Sequence, residues 1–149
     1  YGAVKYGILK VSPEKNVIFD WQQALSFEGE TAPYIQYAYA RISSILNKNK
    51  KFNQKADLRL LKEKEETELV KLLHNFPETI TKATNELRPH LIATYLHSLA
   101  QKFNEYYHIH QILKADSKIK DTRILLISAV RYVIKNGLNL LGIDVLERM

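Results

Sequence analysis

A chain of 149 residues with 46% apolar and 26% charged residues can bury one hydrophobic core, and it is expected to form one compact domain with a short piece of a neighbour attached. The absence of cysteine excludes a disulfide scaffold, a zinc ribbon and a thiol nucleophile, and no apolar run approaches the roughly 20 residues that cross a bilayer. Lys and Arg number 22 against 16 Asp and Glu, a net charge of +6 that favours a polyanionic partner without naming one.

From Tyr1 to about Phe27 the runs Ala3 to Val11 and Asn16 to Phe19 lean towards β structure, separated by Ser12-Pro13-Glu14-Lys15, so a short extended segment is predicted there. From Thr31 onward the pattern is helical. Thr31-Ala32-Pro33 is a start signal, because a threonine oxygen can cap the first free N–H groups and proline suits the first turn. The first helix is predicted to run to about Leu46. A polar, basic connection leads to a charged helix from about Leu60 to Asn75, with Leu61, Leu69, Leu72 and Leu73 as its apolar positions. Pro77 is expected to break it, and a short helix from Glu78 to Leu87 to follow. Pro89 then opens a long helix carrying Ile92, Tyr95, Leu96, Leu99, Phe103 and Tyr106 at spacings of three and four. The last helix, from about Ser117 to Leu141, places Val130, Val133 and Gly137 along it, with Val130 and Val133 expected in the core and Gly142 positioned as its C-terminal cap. The prediction is therefore an all-α antiparallel helical bundle with a short extended N-terminal segment.

The positive charge is uneven. Between Asn47 and Lys64 stand seven cations (Lys48, Lys50, Lys51, Lys55, Arg59, Lys62, Lys64) against Asp57 and Glu63, and between Ser117 and Lys135 stand five against Asp121. Phosphate backbones are one counterpart; a solvated helix face is the other reading. No glycine-rich phosphate loop, Gly-x-Ser-x-Gly or His-Glu-x-x-His is present, so an independent enzyme is not expected. His108-x-His110 could supply two metal ligands, yet neither a cysteine nor a pair of carboxylates stands beside it in sequence, and a plain loop pair is the simpler reading. Within Pro33 to Ile42, Ile35, Tyr39, Ile42 and Leu46 line one stripe of the helix, whereas Tyr34, Tyr37 and Arg41 line another. Two rings beside a guanidinium can hold unstacked RNA bases; equally, such tyrosines can pack against a second layer.

Three blocks carry a resemblance to a known family. Leu25-Ser26-Phe27-Glu28-Gly29-Glu30-Thr31-Ala32-Pro33-Tyr34-Ile35-Gln36-Tyr37-Ala38-Tyr39-Ala40-Arg41, Pro89 to Leu96 with Phe103-Asn104-Glu105-Tyr106-Tyr107-His108, and Val133 to Ile143 with Glu147-Arg148-Met149 resemble, in order, the anticodon-binding part of arginyl-tRNA synthetases. Only 47–88 is weakly diagnostic. The resemblance implies that residues 1–30 are the tail of a catalytic core and its junction, and that 31–149 are a helical anticodon-binding domain. It implies a chain beginning inside a longer cytoplasmic, monomeric protein that attaches arginine to its tRNA with ATP. The class I signatures, a His-Ile-Gly-His-like sequence and a Lys-Met-Ser-Lys-like loop, are absent, so no catalytic residue and no cofactor is expected here. The implied partners are the anticodon stem-loop of arginine tRNA, read chiefly at its middle cytosine, and the catalytic core of the same polypeptide, with no membrane. Carried over by position, Tyr34, Tyr37 and Arg41 would face the stem-loop, Tyr107 would lie near the anticodon bases and Met149 beside them. One departure concerns the end of the chain: the family's usual proline before Glu-Arg-Met is Leu146 here.

Overall fold

The computed structural model describes residues 1–49, 52–53 and 56–148. Among these there are six α-helices and no strand: α1 (Gly2–Leu9), α2 (Trp21–Ala24), α3 (Ala32–Lys48), α4 (Lys64–Asn85), α5 (His90–Ile109) and α6 (Ser117–Leu140), with a single 3-10 turn at Leu58–Leu60. The all-helical bundle is as predicted from the sequence. The helix α3 starts as expected, with the Thr31 hydroxyl accepting the Tyr34 N–H at 3.2 Å and Pro33 inside the first turn. At the far end, α6 closes in a Schellman arrangement. Gly142 adopts φ +68°, its N–H donates to the Asn139 carbonyl, and the Ile143 N–H donates to the Leu138 carbonyl.

Two expectations about the course of the helices need correction. The run predicted as extended, Ala3 to Val11, lies mostly in α1, and of the second such run, Asn16 to Phe19, no residue enters a helix or a strand. Long-range packing decides this. Tyr6 is buried, its hydroxyl donates to the Ala93 carbonyl at 3.0 Å, and α1 lies against α3 and α5. An isolated helix of this length would not hold in water, so tertiary burial overrides the β-branched and glycine content. Second, Pro77 does not break the chain into two helices, since α4 passes through it. Proline offers no N–H to the Leu73 carbonyl. Phe76 and Ile80 nevertheless pack on the core, and the Tyr95 hydroxyl donates to the neighbouring Leu72 carbonyl at 2.8 Å. Those contacts hold the helix together across the missing bond.

The helices α5 and α6 form the centre of the bundle, with α3 against both on one side and α4 against both on the other. Leu96, Leu99, Phe103, Ile127, Val130 and Ile134 are buried at their junctions, whereas Val133, expected in the core, is only half-buried. Gly137 lets α5 and α6 approach: a Cβ there would stand 2.6 Å from Leu96 Cδ2. Contacts also fix direction. Tyr34 meets His97 and Arg41 meets Asn104, so α3 and α5 run parallel, side by side. That alignment positions the candidate site.

Candidate nucleic-acid interface

Because α3 and α5 run in parallel, two residues on α3 and two on α5 share one surface. The Arg41 guanidinium lies 4.6 Å from the centroid of the Tyr37 ring and 4.8 Å from that of Tyr107. Its Nη2 donates to the Tyr37 hydroxyl at 2.9 Å and its Nη1 to Asn104 Oδ1 at 3.2 Å. Tyr37 and Tyr107 remain 40% and 38% exposed, so both rings keep free area for a further planar group. Phe27 meets Tyr37 edge-on and Phe103 backs Tyr107, which limits how far either ring can swing.

This cluster borders an open groove of about 890 Å³ whose lining includes Lys48, His108, Lys114 and Arg148 along with Tyr37, Arg41 and Tyr107. A second groove, of about 850 Å³ between α4 and α6, is lined by Leu58, Val70, Leu73, Leu126 and Tyr132 among others and has no charged residue. A polyanion is therefore matched by the first and not the second. Stacked rings, a planar cation and flanking ammonium groups can hold a single-stranded base and its phosphates.

The residues singled out from sequence divide as follows. Tyr37, Arg41 and Tyr107 come together. Tyr34 is half-buried and turned to the His97 ring, 5.3 Å between centroids, outside the groove. Burial pushes the His97 imidazole below its usual pKa, Glu30 opposes this and Lys10 adds to it. Met149 lies outside the described residues, as do Lys50, Lys51 and Lys55 of the basic connection. Asn104, Lys114 and Arg148 were not anticipated as site residues. Asn104 lay within a block that resembles the family, but its partnership with Arg41 depends on helix alignment that no local pattern reveals.

The histidine pair separates too. His108 is exposed on the groove, while His110 Nε2 stands 3.0 Å from Glu65 Oε2, holding that carboxyl below its usual range. Glu63 lies close by, so carboxylates absent beside His110 in sequence are beside it in space. They sit at the first turn of α4, where the helix dipole disfavours a cation. Behind them, buried Glu66 accepts from Arg123 Nε at 2.8 Å and from the Glu63 N–H at 3.1 Å, tying α4 to α6.

Known proteins bear on this geometry. A family model described as the DALR anticodon binding domain matches residues 35–149. An arginine-tRNA ligase of Clostridium botulinum is 46% identical over 149 residues, covering 99% of this chain and 26% of the relative. One from Pyrococcus abyssi is 47% identical over 153 residues, covering 99% and 24%. The solved arginyl-tRNA synthetase of Thermus thermophilus superposes with a TM-score of 0.93 at 35% identity, covering 99% of this chain and 26% of that one. The chain thus spans about a quarter of the length of these relatives. With the family model matching most of its length and the fold shared throughout, the chain belongs to the DALR anticodon-binding domain family, in the form carried by arginyl-tRNA synthetases.

Proposed function

We propose that this chain grips the anticodon stem-loop of an arginine tRNA on behalf of a longer polypeptide that joins arginine to that tRNA with ATP. In this reading residues 1–30 complete a catalytic core, and the nucleotide and arginine sites lie in segments other than this one. The observation that carries it is the Tyr37–Arg41–Tyr107 stack on the rim of a groove bearing Lys48, Lys114 and Arg148. Aromatic rings capture bases splayed from the loop, and the cations neutralise the phosphates on either side. Tyr34 acts indirectly, by fixing α3 against α5. Met149 would complete the base-reading end.

The test is binding of a synthetic anticodon stem-loop at a series of salt concentrations, with cytosine and then uracil at the middle anticodon position. Phosphate neutralisation predicts a steep, linear fall of log affinity with log salt, and base reading predicts tighter binding of the cytosine form. Binding that is weak, insensitive to salt and indifferent to the base would refute the reading.

A further inference from the structure

A carboxylate on the rim of a groove built for phosphates calls for an explanation, and Glu147 is such a carboxylate. Its Oε1 accepts from the Tyr39 hydroxyl at 2.9 Å and from Arg131 Nη2 at 3.0 Å, and its Oε2 is 3.2 Å from the same Nη2. Arg131 is held in turn: its Nε donates to Ser43 Oγ at 2.9 Å and its guanidinium lies 5.0 Å from the centroid of the Tyr39 ring. Tyr39 and Ser43 are buried, so the clamp stands on the core of the bundle. The Tyr39 hydroxyl, with Arg131 assisting, keeps the Glu147 carboxyl below its usual pKa and therefore ionised at neutral pH.

The chain leading to Glu147 is pinned at points before it. Ile143 is buried, Val145 packs on the core, and Gln36 Nε2 donates to the Asp144 carbonyl at 2.7 Å. After Gly142 this segment has no helix to hold it, and no proline stands at position 146 to stiffen it. The clamp supplies that rigidity through side chains.

We propose that Glu147 is a positioning residue for RNA: gripped by Tyr39 and Arg131, it fixes the path of residues 144–148 so that Arg148 stands in the groove wall with Arg41 and Tyr107. This rests on the functional reading above. An ordered tail meets the RNA without losing conformational freedom at that moment, which is how preorganisation raises affinity. Simple electrostatics has the opposite sign. If Glu147 were only a charge, removing it from a phosphate-binding rim would tighten binding.

The experiment compares wild type, Glu147→Ala and Glu147→Gln in the whole 149-residue chain, using the cytosine-bearing anticodon stem-loop and backbone hydrogen exchange. For Glu147→Ala we expect exchange across 144–148 to accelerate about tenfold with the α5 amides unchanged, and stem-loop affinity to fall about three- to tenfold. Glu147→Gln keeps an oxygen that accepts from Tyr39 and Arg131, and it should recover most of both. Wild-type binding that Glu147→Ala leaves unchanged or strengthens overturns the clamp and leaves the functional reading standing. Failure of the wild type to bind any stem-loop overturns both, whatever hydrogen exchange reports.

Discussion

Arg41 is held from four directions, by two ring faces, a phenol oxygen and an amide oxygen. A lysine could keep the charge but not the plane, so the stack depends on guanidinium geometry. Tyr107 forms one wall of it. Replacing Tyr107 with alanine should weaken stem-loop binding about ten- to a hundredfold, since a stacked base is worth roughly 1 to 3 kcal/mol. The preference for cytosine over uracil should shrink at the same time. A folded Tyr107→Ala chain with unaltered discrimination would remove the residue from base reading, and an equal loss for both RNAs would make it a positioning group. A different residue shows strain. Leu87, between α4 and α5, adopts φ 54° while 80% exposed, so it carries the cost of a left-handed backbone with little packing in return. Its position is the one glycine favours, since the Arg88 N–H reaches back to the Ala83 carbonyl and the Leu87 N–H to that of Thr84. Leu87→Gly should stabilise the fold by about 0.5 to 1 kcal/mol in chemical denaturation, the relief of backbone strain exceeding the added chain entropy of glycine. A loss of stability would mean that Leu87 packs more than its exposure suggests.

At the scale of elements, the contact between α5 and α6 organises the rest, and Gly137 is its narrowest point. A methyl group there would meet Leu96 Cδ2 at 2.6 Å and Cδ1 at 3.0 Å, and Leu96 is fully buried with little room to withdraw. Gly137→Ala should therefore destabilise the bundle by about 1 to 3 kcal/mol, although alanine is the better helix former. A companion Leu96→Val change, which shortens the opposing side chain, should return part of that loss. A stabilised Gly137→Ala single variant would show that helix propensity outweighs packing at this crossing. The same crossing matters for the candidate site, because it sets the position of α5, and hence of Asn104 and Tyr107, relative to α3. The fate of α4 illustrates the converse. Its proline loses one backbone bond locally, yet core contacts from Phe76 and Ile80 and the hydroxyl of Tyr95 keep the element whole.

For the whole molecule, charge and burial together predict how stability responds to acid. His97 is pressed against Tyr34, and its pKa in the fold is lowered by burial. The unfolded chain therefore takes up the proton first. Stability from this group is fully present above the unfolded value of about 6.5 and declines as pH falls below it. Carboxyls with lowered pKa values, Glu65 beside His110 and Glu147 beside Tyr39, lose their contributions further down, through the usual carboxylate range. Melting temperature should thus drop between about pH 7 and about pH 5, and His97→Gln should flatten that part of the curve while leaving the steeper acid limb. A curve with the same slope in the variant would assign the drop to other groups.

What the sequence by itself determined was chiefly local. Thr31 and Pro33 start α3, Gly142 ends α6, and three-and-four spacing marks the buried stripes of α3 and α5, because capping and amphipathic period act within a few residues. The resemblance carried by three blocks went further and supplied the family. Tertiary structure alone decided that residues 2–9 form a helix, that α4 survives Pro77, and that Arg41 is shared between Tyr37 and Tyr107 while Tyr34 turns to His97. Each outcome depends on burial or on the parallel alignment of α3 and α5. Those helices are joined through a separate helix, α4, so their register follows from how the bundle packs and leaves no trace in the spacing of either one.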